Sequence, residues 1–111
     1  MSVIRNATPH PIHLMNEAGE LVREFPVEHD LPCPRVSVVE RDAGSINDAP
    51  VIRQAFGEVT NLPEPVEGVY YIVSVMVQSA CPDRHDLVIP ARLVRDATGR
   101  IIGCRAFAAQ G

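Results

Sequence analysis

The stretch Leu14-Met15-Asn16-Glu17-Ala18-Gly19-Glu20-Leu21-Val22 returns, with other side chains, as Val94-Arg95-Asp96-Ala97-Thr98-Gly99-Arg100-Ile101-Ile102. In each, two apolar runs flank an Asn or Asp that can bond its own backbone. A glycine three residues later supplies the positive φ with which a type I turn rejoins its strands through a bulge. Both segments therefore predict β-hairpins. Arg41-Asp42-Ala43-Gly44 predicts a third turn, between the runs 35–40 and 50–56. The chain reads as successive antiparallel ribbons.

Working outward, Asn61-Leu62-Pro63-Glu64-Pro65-Val66-Glu67-Gly68 has two prolines that remove ladder donors, so it is a connection. The continuous apolar run Val69-Tyr70-Tyr71-Ile72-Val73 follows and predicts a central strand covered on both faces. Tyr70 and Tyr71 must point to opposite faces, one to the core and one outward. Ser74 is a suitable N-cap for a short helix over 75–80, which Pro82 ends. The remaining strands are 86–89, 92–95 and 100–107, with Pro90 breaking the first two apart. The expected fold class is α+β, mainly antiparallel β: a small sheet or partly open barrel of hairpins with one short helix near residues 74–81.

The 111 residues, 46% hydrophobic with a formal net charge of −4, suit a single domain over 1–111 and lie far from the composition of disordered chains. The N-terminus has no secretory pattern, and the longest apolar run is too short to span a bilayer. A cytoplasmic location without membrane attachment is the expectation. Cys33, Cys81 and Cys104 are odd in number and lack paired spacing, which predicts free thiols and no zinc site.

Every basic residue is arginine, and these are unevenly spread: residues 1–80 are net −6 and residues 81–111 net +2. The last third is thus the place for an anion. Arg84, in a turn where its side chain is expected to be free, is the first candidate contact. Arg95 and Arg100 follow, because a guanidinium can hold two phosphate oxygens in one plane. His10 and Tyr70 are secondary candidates, for a polar contact and for stacking. Arg92 and Arg95 are three apart and cannot face the same way in a regular strand.

Two other constellations carry less weight. His10-Pro11-Ile12-His13 has two imidazoles, but its prolines exclude a helix, and in extended chain the two would face opposite sides; no metal is expected. Cys81-Pro82-Asp83-Arg84-His85-Asp86 invites a nucleophile reading, yet the cysteine falls at the C-terminal end of the helix, whereas reactive thiols favour the other end. No cofactor is expected, since nucleotide-loop, hydrolase and zincin signatures are absent. An acidic, lysine-free chain is a poor nucleic-acid binder.

Taken in order, the blocks NATPHP, PVIRQAFGEVTNLP, YYIVS, CPDRHDLVIP and RDATGRIIGC resemble a group of small proteins of bacteriophage and prophage genomes. The resemblance covers most of the chain and implies no chemistry. It implies a context: small accessory phage proteins often bind host components or host signalling molecules to blunt defence. The leading expectation is a non-enzymatic binding protein that sequesters an anionic, nucleotide-like molecule or masks a host protein. The alternatives are a small hydrolase or isomerase using Cys81 to Asp86 with His10, and a structural phage protein. A homo-oligomer, most simply a two-fold dimer, is expected because a meandering sheet leaves edges to cover.

Overall fold

A computed structural model describes residues 2–110. Its elements are β1 (Val3–Asn6), β2 (Ile12–Met15), β3 (Leu21–Phe25), β4 (Arg35–Ile46), β5 (Ala49–Thr60), β6 (Val69–Ile72), α1 (Val75–Ala80), β7 (Leu87–Arg95) and β8 (Ile101–Ala109). Mainly β with one short helix, the chain has the α+β class its sequence predicts.

Six strands form one sheet in the order β1-β6-β7-β8-β2-β3, while β4 and β5 form a separate two-stranded ribbon. Both sequence-predicted hairpins are present as β2–β3 and β7–β8. Their turns work as the side chains dictate. Asn16 Oδ1 accepts from the backbone N–H of Ala18 and Glu20 with Gly19 at φ 81°, and Asp96 Oδ1 accepts from those of Thr98 and Arg100 with Gly99 at φ 85°. Parallel pairings join what the hairpins leave apart: β1 with β6, β6 with β7, and β2 with β8 at the single pair Leu14 and Cys104.

Residues 7–11 link β1, at one edge of the sheet, to β2, the fifth strand across, and they bend at 8–10 while Asn6 of β1 reaches the Phe25 carbonyl of β3 at the other edge, so the sheet curls. Side chains from all six strands then meet inside it: Phe25, Ile72 and Val88, with Ile4, Ile12, Leu14 and Phe107 packed around them. Phe25 and Phe107 meet edge to face at 5.5 Å. On the other face Ala7, Tyr71, Val73, Val77 and Leu87 form a second cluster beneath α1. Tyr71 is buried and Tyr70 is 37% exposed, the division their alternation requires. Covered by β1 on one side and β7 on the other, β6 is an interior strand.

The curl is fastened at Asn6, which is buried. Its Nδ2 donates to the carbonyls of His10 at 2.8 Å and Phe25 at 3.0 Å, and its Oδ1 accepts from Thr8 N at 2.9 Å and Thr8 Oγ1 at 2.6 Å. The start of the NATPHP block is thus a polar knot that ties β1 to the end of β3 and shapes the crossing to β2. Arg5 beside it bonds Glu28 and Asp30, both at 2.9 Å.

The helix forms as predicted: Ser74 Oγ accepts from Val77 N at 3.3 Å, and Cys81 is the C-cap. Gln78 holds α1 to the sheet, its Nε2 donating to the carbonyls of Leu87 and Ala108 at 3.1 and 3.0 Å.

Two expectations are corrected. Arg41-Asp42-Ala43-Gly44 is no turn. The ladder slips between Asp42 and Ser45 around Gly44 (φ 90°), and β4 runs on to a tight reversal at Asn47 and Asp48, both at positive φ (50° and 67°). Likewise Pro90 does not split its strand, because β6 pairs with β7 only as far as Val88, so the missing N–H can face an edge without a partner. Arg92 takes a positive φ (51°) without a change of register, and the ladder to β8 slips further on, between Val94 and Arg95.

Candidate functional site

The curl leaves an open groove of about 860 Å³ between the segment after β1 and the β7–β8 hairpin. Pro11, Ile12, Pro90, Leu93, Ile101 and Ile102 give it apolar walls, and His10, His13, Asp96 and Arg100 supply its charged and polar groups. Its floor reaches Gly103 and Cys104 on β8. A Cβ on Gly103 would lie 2.6 Å from Met15 Sδ and 2.9 Å from the His13 carbonyl, so the bare glycine is what lets β2 lie close against β8.

Of the five residues singled out in the sequence, the fold brings His10 and Arg100 to this groove. The other three lie elsewhere. Arg95 Nη1 donates to the Gly99 carbonyl at 2.8 Å across its own hairpin. Tyr70 is exposed on β6 and is no part of the groove wall.

Arg84 is not free. Its Nε and Nη2 grip the two carboxylate oxygens of Asp86, each at 2.8 Å, and Nη2 also donates to the Pro63 carbonyl at 2.8 Å. The side chains are only 19% and 17% exposed. The guanidinium beside Asp86 holds that carboxyl below the usual range, against the opposing effect of burial. Arg84 therefore pins the proline-rich connection to the turn before β7.

The segment from Cys81 to Asp86 offers no assembled catalytic set. Asp86 is committed to Arg84, and His85 Nδ1 lies 3.2 Å from the Gln110 carbonyl. His10, the partner that a catalytic reading requires, lines a groove to which none of 81–86 contributes. The thiol at the groove floor, Cys104, is 1% exposed, and burial pushes its pKa up, the opposite of the surroundings that favour a thiolate. Cys33, Cys81 and Cys104 are all free.

His10 and His13 border the same groove after all, because the chain bends at residues 8–10 and the parity of an extended strand does not apply. His13 Nε2 lies 3.3 Å from Glu24 Oε2 across the β2–β3 pair. Among the described residues no three His, Cys, Asp or Glu side chains are grouped to hold a metal ion. No helix among them is long and apolar enough to cross a membrane.

Sequence reasoning weighed His13 only as a metal ligand, and missed Asp96 and the apolar wall of Leu93, Ile101 and Ile102. The one available signal was that the second hairpin carries exposed aliphatic side chains beside Asp96 and Arg100. Asp96 is an exposed carboxylate whose pKa is lowered, first by Thr98 Oγ1 and then by the N–H groups of Arg100 and Thr98. It therefore stays ionised beside Arg100, so the groove holds one fixed anion, one fixed cation and two imidazoles. Comparison with protein-family models, with curated proteins and with solved structures finds no match, so the reading of this groove stands on its geometry alone.

Proposed function

We propose that the chain is a non-enzymatic binding protein and that the groove between residues 10–13 and the β7–β8 hairpin takes an anionic small molecule of nucleotide size. One observation carries the reading: the fold joins Arg100 and His10, far apart in sequence, at a single apolar-walled groove. Its volume falls in the range of roughly 300–1,000 Å³ usual for ligand sites, and apolar walls with a few polar groups are the usual lining of such sites. The apolar faces of Leu93, Ile101 and Ile102 suit a flat ring, and the guanidinium of Arg100 suits a phosphate or carboxylate. Asp96 sets a limit, since its charge disfavours an anion placed on its own side of Arg100. The phage-type accessory role that the sequence blocks suggest is the setting in which such sequestration has a use.

Calorimetric titration with linear and cyclic nucleotides tests the proposal. A charge-assisted hydrogen bond contributes about 1.5–3 kcal/mol, so Arg100→Ala should weaken binding about 10-fold to 150-fold. His10→Ala should weaken it less, and Tyr70→Ala should leave it unchanged. Absence of heat with every nucleotide refutes the reading, and so does an Arg100→Ala protein that binds like the wild type.

A further inference from the structure

The two hairpin turns are built alike from different residues. Asn16 Oδ1 accepts from the backbone N–H of Ala18 at 3.0 Å and Glu20 at 2.9 Å, and Asp96 Oδ1 accepts from those of Thr98 at 2.8 Å and Arg100 at 3.0 Å. A neutral amide oxygen thus serves the turn as a carboxylate oxygen does, and the turn leaves the charge of Asp96 unaccounted for. Thr98 Oγ1 adds a third bond to the same Oδ1, at 2.6 Å. Among the described residues Asp96 Oδ2 takes no hydrogen bond, and Arg100, four positions on, forms no ion pair with the carboxylate.

Both residues line the groove, beside the apolar walls of Leu93, Ile101 and Ile102. An ionised carboxylate only accepts and a guanidinium only donates, so the groove offers an acceptor and a set of donors that do not satisfy each other. A ligand that is an anion throughout leaves Asp96 unmatched and is repelled by it. A matching ligand has a flat ring with hydrogen-bond donors at one end and an anion at the other.

Resting on the groove as the site for an anionic small molecule, we infer that its ligand is a guanine nucleotide, with the donor edge of the base on Asp96 and the phosphate on Arg100. Guanine sets N1–H and its amino group side by side, and the two lone pairs of one carboxylate oxygen can take both. Adenine and cytosine place a ring-nitrogen acceptor next to their amino group, which turns a lone pair toward the carboxylate. Uracil flanks its one N–H with two carbonyls, with the same result. The phosphate falls to Arg100, whose guanidinium can hold two of its oxygens, and to His10 across the groove.

Calorimetric titration of guanosine, inosine and adenosine monophosphates at neutral pH tests the inference. Inosine monophosphate lacks only the amino group. A hydrogen bond to a charged group is worth about 10-fold to 150-fold in affinity, and because Asp96 is exposed the lower end applies: the guanine nucleotide should bind about 10-fold tighter than the inosine one. Asp96→Asn keeps the Oδ1 that the turn uses, as Asn16 does in its own hairpin, so it should melt close to wild type. Its Nδ2 donor then faces the donors of the base, and the preference for guanine should vanish. Equal affinity of the wild type for the guanine and inosine nucleotides overturns the inference, as does a preference that survives in Asp96→Asn. If Asp96 instead holds a divalent cation that bridges to phosphate, the substitution and a chelator weaken all three nucleotides alike, which also overturns it. Nucleotide binding without a guanine preference removes this inference and leaves the groove reading standing, whereas no binding of any nucleotide removes both.

Discussion

Replacing Asn6 by alanine probes how the curled sheet is held. The substitution strips the donors from the carbonyls of His10 and Phe25 and the acceptor from the N–H and hydroxyl of Thr8. The losses differ in weight. The His10 carbonyl keeps a second donor, Thr8 Oγ1 at 2.9 Å, and loses little. The Phe25 carbonyl lies in a buried bond, so leaving it unpartnered costs about 1–3 kcal/mol, and the part-buried Thr8 N–H adds about 1 kcal/mol. A total of about 2–4 kcal/mol is a large share of the roughly 5–15 kcal/mol that stabilises a typical domain. Urea unfolding should show the midpoint falling at unchanged m-value, since the same surface is exposed on unfolding. Asn6→Asp sharpens the test. At neutral pH it sets a carboxylate oxygen against two carbonyls, and in acid the protonated carboxyl regains a donor, so its deficit should shrink as pH falls. Thr8→Val, which removes the hydroxyl alone, should cost about 0.5–1.5 kcal/mol. An Asn6→Ala protein within about 1 kcal/mol of wild type would refute the polar knot as the fastening of the curl.

Gly103→Ala should destabilise by about 1–3 kcal/mol, because the Met15 side chain can swing aside but the His13 carbonyl cannot, and β2 is forced off β8; a thermal midpoint equal to wild type would contradict this. Arg84→Ala should lower stability by about 1.5–3 kcal/mol at neutral pH and leave groove binding unaltered, as judged by urea titration and calorimetry on the same protein. For Asp86 the sign follows from its depressed folded-state pKa: the Arg84 pairing stabilises fully above the unfolded value near 3.8 and is lost as pH falls through the lower folded value. The acid limb of stability against pH should therefore flatten in Asp86→Asn, and an acid limb identical to wild type would refute the pairing.

What the sequence by itself determined was whatever a few neighbouring residues settle by their own chemistry. Asn16 with Gly19 and Asp96 with Gly99 build their turns inside five residues, Ser74 caps its helix three residues on, and the alternation of Tyr70 and Tyr71 sends one inward and the other outward. Local signals misled where one residue type serves two purposes. Asp42 and Gly44 make a bulge as readily as a turn, and only the pairing of β4 with β5 through Ser45 and Pro50 shows which. Pro90 blocks a ladder only where a neighbour wants its N–H, and the extent of β6 decides that.

The tertiary structure alone decided the rest. The parallel pairings of β1 with β6 and of β2 with β8 join strands tens of residues apart, with no turn between them to leave a signature. The candidate site inherits this. Arg84, expected free because it lies in a turn, is held by a carboxylate two residues away and a carbonyl 21 residues away. His10 and Arg100 share a groove because the link from β1 to β2 bends and the sheet curls until residues 10–13 face the second hairpin. Convergence of distant side chains follows from chain closure and close packing, which depend on every strand at once, whereas turns and caps depend on a few bonds among adjacent residues.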